Sequence, residues 1–195
     1  MAIFASGAGS NAEKIMEHFE NHPAVSVKLV VASKKTAGVL EKADRFGVET
    51  LILNKADFFD TNIYVQELQD RHIDIIILAG FLWKVPANLV AAFPGRILNI
   101  HQALLPAYGG KGMYGHFVHE AVIAAGEKQS GITIHIVDEV YDHGKHLFQA
   151  TCEIIPADGP DELAGKVHKL EHRHFAKVIE SYIPDHPVLF AAGAS

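Results

Sequence analysis

Short apolar runs alternate with helix-like segments along the first half of the chain. Five runs, at residues 2–5, 25–32, 48–53, 73–79 and 96–100, have the length and β-branched content of strands. Between them, apolar residues recur at helical spacing, as Ile15, Met16 and Phe19 do, and again within 40–46 and 63–71. The run at 73–79 is rich in isoleucine, which is typical of a parallel strand covered on both faces. This alternation predicts a doubly wound, mostly parallel α/β sheet.

The pattern changes after Gly131. Residues 132–137 and 147–155 are predicted strands joined by a charged turn, which favours antiparallel C-terminal strands. A long C-terminal helix is predicted from about 161 to 182, because Leu163, Val167 and Val178 fall on one face. No linker divides the chain, so residues 1–195 are predicted to form a single domain, with an N-terminal half of about 1–100 and a C-terminal half of about 101–183.

Composition and charge narrow the class of protein. Apolar residues make up 49% of the 195 residues and charged residues 21%, which is typical of a soluble globular protein. The net charge of −6 argues against nucleic acid as a partner. The one cysteine, Cys152, is interpreted as a buried apolar residue rather than a nucleophile. No secretion signal and no apolar run of membrane-spanning length is recognised, so we expect no membrane partner and a cytoplasmic location.

A glycine-containing loop, Ser-Gly-Ala-Gly-Ser-Asn at 6–11, follows the first predicted strand. Gly9 lets the backbone approach a ligand, and the start of the following helix offers N–H groups, with Ser10 and Asn11 as side-chain donors. A phosphate monoester suits such a loop. A tight turn with an ordinary N-cap at Ser10 or Asn11 explains the same residues equally well.

Polar residues end the strand predicted at 96–100. Asn99 and His101 are two residues apart, so their side chains project to the same side, at the carboxyl edge where doubly wound folds bind ligands. An amide beside an imidazole can stabilise an oxyanion and move a proton. Loop capping is at least as good an explanation on position alone.

The acidic turn at 138–144 and the histidines supply further candidates. A carboxylate of this turn would raise the pKa of His101 if the two faced each other, but turn carboxylates are usually only solvated. His135, on the preceding strand, either orients these groups or is an ordinary core histidine. Thirteen histidines include pairs spaced for shared metal ligation, yet no complete ligand motif is present, and we expect no metal.

Together these segments resemble the phosphoribosylglycinamide formyltransferase family of folate-dependent enzymes. The resemblance runs from residue 5 to about 180. It is carried by S-G-A-G-S-N at 6–11, L-A-G-F-L at 78–82, G-R-I-L-N-I-H at 95–101, L-L-P at 104–106, D-E-V-Y-D-H-G at 138–144 and E-H at 171–172. Methionyl-tRNA formyltransferase and formyltetrahydrofolate deformylase fit less well, because each carries a further domain for which a chain of 195 residues has no room.

The resemblance implies formyl transfer from the co-substrate 10-formyltetrahydrofolate to the amine of glycinamide ribonucleotide, in de novo purine biosynthesis, by a monomer or homodimer. Protonated His101 and the Asn99 amide would stabilise the oxyanion, and Asp142 would keep His101 charged. The other implied roles are ribonucleotide binding by Gly9, Ser10, Asn11, His168 and Glu171, folate binding around Leu82, Trp83, Lys84, Val85, Val140 and Tyr141, and support by His135 and His116.

Several positions depart from the common pattern of that family. Gln102-Ala103 stands where Pro-Ser is usual, and His143-Gly144-Lys145 replaces Gly-Gly-Pro. A glycine-rich stretch at 109–115 is slightly longer than the family's loop, so His119 is an alternative to His116 as the counterpart of the family's loop histidine. Three other functions remain as alternatives: a folate-dependent formyltransferase or deformylase with a different acceptor, a non-catalytic nucleotide- or folate-binding module, and a metal-dependent hydrolase.

Overall fold

The computed structural model of the protein describes residues 1–185, so residues 186–195 of the predicted domain lie outside the described residues. Seven strands form one sheet in the order β3-β2-β1-β4-β5-β6-β7. The strands are β1 (Ala2–Ala5), β2 (Leu29–Ala32), β3 (Glu49–Ile52), β4 (Ile76–Leu78), β5 (Ile97–His101), β6 (Gln129–Ile136) and β7 (His146–Glu153). The helices are α1 (Ser10–Phe19), α2 (Val39–Arg45), α3 (Lys55–Asp60), α4 (Ile63–Asp70), α5 (Ala87–Ala92), α6 (His116–Ala124) and α7 (Pro160–Asp185).

Strand direction confirms the predicted fold class. β1 pairs in parallel with both β2 and β4, and β2 pairs in parallel with β3. β6 and β7 are antiparallel, with a register shift between Ile134 and His135. The long C-terminal helix is also present, as α7. The sheet is therefore α/β and mostly parallel, with an antiparallel C-terminal pair.

The core follows from the apolar pattern of the sequence. Every residue of β1, β2 and β4 is buried, as expected for strands covered on both faces. Helix α1 buries Ile15, Met16 and Phe19, the residues that the sequence places at helical spacing. Each such side chain contributes roughly 1.5–3 kcal/mol on full burial. The buried strands and one face of each flanking helix thus supply most of the stabilising apolar area.

Element boundaries differ from the prediction in places. The run at 25–32 forms a strand only over Leu29–Ala32, and the run at 73–79 only over Ile76–Leu78. Helices α3, α5 and α6 are absent from the sequence-based assignment. Two of them have six residues each, which is too short to give a periodic pattern. Cys152 is half-buried on β7, and burial raises the pKa of its thiol.

The chain divides into two compact units. The first comprises Met1–Leu98 with the end of α7 from Ile179, and the second comprises Asn99–Val178. In the first unit, α7 is tied down by the Tyr182 hydroxyl, which donates to the Gly95 carbonyl oxygen at 2.6 Å. Within residues 1–185, none of the helices has the length and apolar character needed to cross a membrane.

Candidate active site

Two of the predicted catalytic side chains lie at the end of β5, in the second unit. His101 is buried, and its Nε2 lies 2.8 Å from the backbone oxygen of Tyr108. A carbonyl oxygen only accepts hydrogen bonds, so Nε2 carries a proton and donates it. Nδ1 is therefore the nitrogen of His101 that gains or loses a proton.

His135 on β6 fixes the orientation of Asn99. The His135 Nδ1 lies 3.0 Å from the Ile136 carbonyl oxygen, so this nitrogen is the donor of the neutral ring. The His135 Nε2 then accepts from the Asn99 amide nitrogen at 3.1 Å. One N–H of Asn99 is used in this contact. Its second N–H remains to donate elsewhere, as an oxyanion-binding group must.

Asp142 reaches the same histidines from the turn between β6 and β7. Its Oδ2 lies 3.7 Å from Nδ1 of His101, and its Oδ1 lies 3.6 Å from Nε2 of His135. The Gly110 N–H donates to Oδ2 at 2.9 Å. Asp142 has a φ of 52°, a conformation that asparagine and aspartate tolerate better than other non-glycine residues. The turn also requires Gly144, because a Cβ there would lie 1.8 Å from the Ile136 oxygen.

The electrostatics of the cluster differ in one respect from the expectation. Burial alone would raise the pKa of Asp142, but the neighbouring rings of His135 and His101 and the hydrogen bond from the Gly110 N–H lower it overall, so Asp142 is ionised. Asp142 favours the charged form of His101, as expected. Burial has the larger effect, however, and the pKa of His101 is lowered. The ring is therefore predominantly neutral at pH 7, not protonated.

A buried hydrogen-bond network holds the segment that follows His101. The Thr133 hydroxyl donates to the Ala103 oxygen at 2.7 Å and accepts from the Leu105 N–H at 3.0 Å. Gln149 donates to the Leu105 oxygen and to Thr133 at 3.0 and 2.8 Å. The sequence does not predict this hydrogen-bond network. It indicates only that Thr133 and His135 lie on the same side of β6.

Glu171 is a buried carboxylate on α7. It follows Leu163 and Val167 at four-residue intervals, so it occupies a core position of the helix and is 1% exposed. His168 Nδ1 lies 2.9 Å from its Oε2, and Gln102 donates to its Oε1 at 3.2 Å. The hydrogen bond to Glu171 raises the pKa of His168. Two predicted substrate-binding residues are thus in direct contact.

A cavity of about 410 Å³ lies beside this pair. His119 is 2% exposed, and its Nδ1 has no hydrogen-bond partner. Burial lowers the pKa of His119, so the ring is neutral. His116 is half exposed and faces Glu120 at 3.2 Å. The cavity is lined by Gln102, Gly115, His116, His119, Ala164, Gly165 and His168.

The predicted phosphate loop lies in the first unit. Gly9 caps α1 with a φ of 74°, and a Cβ there would lie 2.6 Å from Val39 Cβ. No side chain caps the helix, so the N-cap explanation of Ser10 and Asn11 is wrong for this structure. Asn11 is 8% exposed, and its Oδ1 has no hydrogen-bond partner. The first N–H groups of α1 therefore have no side-chain cap, and they are available to an anion at this loop.

The predicted folate-binding residues are mostly at the surface. Leu82 is 51% exposed, Val140 58% and Tyr141 42%, whereas Val85 is buried. The Trp83 ring contacts Phe58, Phe59 and Phe81, at centroid distances of 5.7, 5.8 and 6.1 Å. Because Trp83 is used in this aromatic cluster, the segment offers a ligand backbone groups and the exposed Leu82 and Lys84 side chains.

The second unit thus brings together Asn99, His101, His135 and Asp142 in one cluster, with His168 and Glu171 in a second. Tyr108, Gly110 and Gln102 join these clusters without having been identified as site residues from the sequence. Across residues 1–185, no three histidine, cysteine, aspartate or glutamate side chains are grouped closely enough to hold a metal ion.

Comparison with known proteins identifies the family. The formyl transferase family profile matches residues 1–179. Phosphoribosylglycinamide formyltransferase from Bacillus subtilis is 34% identical, over 93% of this chain and 93% of that protein. The chloroplastic phosphoribosylglycinamide formyltransferase of Arabidopsis thaliana is 43% identical over 92% of this chain, which spans only 63% of that relative's length.

A solved structure agrees with this result. The crystal structure of phosphoribosylglycinamide formyltransferase from Bacillus halodurans superposes with a TM-score of 0.84 and 32% identity, covering 93% of this chain and 94% of that one. The match includes the strands and helices that carry both clusters of the second unit, since the family profile extends through α7 to residue 179. This chain therefore belongs to the formyl transferase family.

Proposed function

We propose that this chain transfers the formyl group of 10-formyltetrahydrofolate to the amine of glycinamide ribonucleotide. The observation that carries the proposal is the cluster at the end of β5, where Asn99, His101 and Asp142 converge with His135. An oriented amide donor, a neutral imidazole and an ionised carboxylate are the groups that acyl transfer to an amine requires. The names of the relatives supply the acceptor and the formyl group, and the resemblance of the sequence implies the formyl folate as donor.

His101 moves the proton in this mechanism. The amine nitrogen attacks the formyl carbon, and Nδ1 of the neutral His101 accepts the proton that the amine loses. Asp142, whose Oδ2 is 3.7 Å from Nδ1, stabilises the imidazolium that forms. The same proton then passes to the folate nitrogen as its bond to the formyl carbon breaks. The Tyr108 carbonyl keeps the ring in the required tautomer throughout.

Asn99 stabilises the negative charge on the formyl oxygen. His135 holds one amide N–H, so the other is oriented before the substrate binds. A single preorganised donor of this kind accelerates acyl transfer by roughly a hundred- to a thousandfold. No step requires a metal ion, and we propose a metal-independent reaction.

Ribonucleotide and folate binding complete the proposal. Gly9, Ser10 and Asn11 bind the phosphate through the N-terminal N–H groups of α1, and His168 and Glu171 bind the rest of the ribonucleotide. Leu82–Val85 backbone and the turn with Val140 and Tyr141 bind the folate. We further propose one formyltransferase domain, acting as a monomer or homodimer in the cytoplasm, without nucleic acid or membrane partners.

Release of tetrahydrofolate tests the proposal directly. The purified protein is mixed with glycinamide ribonucleotide and 10-formyltetrahydrofolate, with and without a chelator, and with the phosphate-free nucleoside as a second acceptor. We expect turnover that survives the chelator and requires the phosphate. Absence of turnover while both compounds bind would exclude this acceptor and favour a binding role. Loss of activity with the chelator would instead support metal-dependent chemistry.

A further inference from the structure

Gln102 follows His101 directly, at the end of β5, and is half-buried. It lines the cavity of about 410 Å³ beside α7. The residue usual at this position in the family that the sequence resembles is proline, whose side chain has no hydrogen-bonding group. Gln102 therefore gives this chain an amide that the common pattern lacks.

The contact with Glu171 fixes which atom of the Gln102 amide is already used. Gln102 Nε2 donates to Glu171 Oε1 at 3.2 Å, and a carboxylate only accepts. Glu171 is 1% exposed, so this amide nitrogen is held on a buried charge. The Oε1 of Gln102 is at the opposite end of the amide group. Because Gln102 lines the cavity and one N–H is held by Glu171, we infer that its Oε1 and its second N–H are the groups that a ligand there would meet.

Two polar side chains line the cavity beside Gln102. His119 is 2% exposed, and its Nδ1 has no hydrogen-bond partner within residues 1–185. His168, which donates to the other oxygen of Glu171, also lines the cavity. These two imidazoles make the lining beside Gln102 polar, which suits a ligand with hydroxyl or amide groups.

We propose that Gln102 is a specificity-determining residue for the acceptor, accepting a hydrogen bond from one of its hydroxyl or amide groups, with Glu171 orienting the Gln102 amide. This inference rests on the proposed function, because it assumes a ribonucleotide acceptor. Besides its place in the proposed ribonucleotide site, Glu171 orients the Gln102 amide through its Oε1, while His168 contacts its Oε2.

Gln102→Leu tests this role, because it keeps the approximate size and removes the amide. We expect the KM for glycinamide ribonucleotide to rise about five- to tenfold, which is the effect of losing one hydrogen bond. The kcat and the KM for the folate should stay within about threefold. Gln129→Leu is the matched control, because Gln129 is exposed at the start of β6 and its side chain makes no hydrogen bond within residues 1–185. Melting temperatures of both variants verify folding.

Coupling with Glu171 separates this role from a structural one. In a Glu171→Gln background the orienting charge is absent, so Gln102→Leu should raise the acceptor KM much less than it does in the wild type. The inference would be overturned if the two substitutions changed the acceptor KM independently, or if Gln102→Leu left this KM unchanged. In either case, turnover by the wild type would leave the proposed function intact. Absence of wild-type turnover with this acceptor would overturn both.

Discussion

Asp142→Asn is the most informative change to the candidate active site. It removes the carboxylate charge and keeps the shape of the side chain. The Asn amide oxygen can still accept from the Gly110 N–H, which donates to Oδ2 at 2.9 Å in the wild type, so the turn should keep its conformation. Only the stabilisation of a positive charge on His101 is lost.

The size of the effect follows from the distance between the two side chains. Nδ1 of His101 and Oδ2 of Asp142 are 3.7 Å apart, and both side chains are at most 10% exposed. At an effective dielectric constant of about 20, unit charges at this distance attract by about 4 kcal/mol. If that attraction is realised only when the imidazolium forms, its loss slows the reaction by up to about a thousandfold.

The assay is steady-state formyl transfer, in which the concentration of each substrate is varied from below its KM to saturation at each pH. We expect kcat of Asp142→Asn to fall by about a hundred- to a thousandfold, with small changes in either KM. The pH profile should change as well. Asp142 raises the pKa of His101, so its removal should move the acid limb of kcat/KM to lower pH.

Asp138→Asn is the matched control, because Asp138 lies in the same turn and faces its own histidine, His143, at 2.8 Å. That pair is exposed, and exposed pairs contribute only about 0–1 kcal/mol. Activity of Asp138→Asn should remain within about threefold of wild type. A kcat for Asp142→Asn that is also within threefold, or equal losses in both variants, would refute the reasoning about His101.

Three further changes test the loop and the buried histidines. Gly9→Ala should destabilise the protein by about 1–3 kcal/mol more than Gly47→Ala in denaturant titrations, because both have positive φ but only the Cβ at Gly9 would clash with Val39; equal losses would contradict this. Asn11→Ala should raise the ribonucleotide KM about tenfold in steady-state kinetics, and an unchanged KM would remove Asn11 from the phosphate site. Because burial lowers the pKa of His119, the unfolded chain binds more protons below about pH 6.5, so the free energy of unfolding should decrease as the pH falls through that region. His119→Gln should weaken this pH dependence in urea titrations at several pH values. The same dependence of the free energy of unfolding on pH in this variant and in the wild type would argue against a contribution from His119.

The sequence by itself determines the class of fold. Strand-forming apolar runs must be buried on both faces when helices alternate with them, and this requirement predicts the parallel strands β1, β2 and β4. The chain also specifies locally that Asn99 and His101 share a side of β5, because side chains two residues apart on a strand point the same way. Short helices such as α3 and α5 carry too few residues to produce a periodic signal.

Only the tertiary structure decides which side chains meet, and with what charge. Asp142 contacts His101 because β6 and β7 pair and close the turn between them, a long-range event that spacing does not encode. Burial by residues distant in the sequence lowers the pKa of His101 and makes its ring neutral. The effect of Asp142 alone would favour a charged ring. The contact of Gln102 also depends on the tertiary structure, because α7 brings Glu171 to within 3.2 Å of its amide nitrogen. Local patterns arise from neighbouring residues, but desolvation and side-chain contact depend on the whole fold.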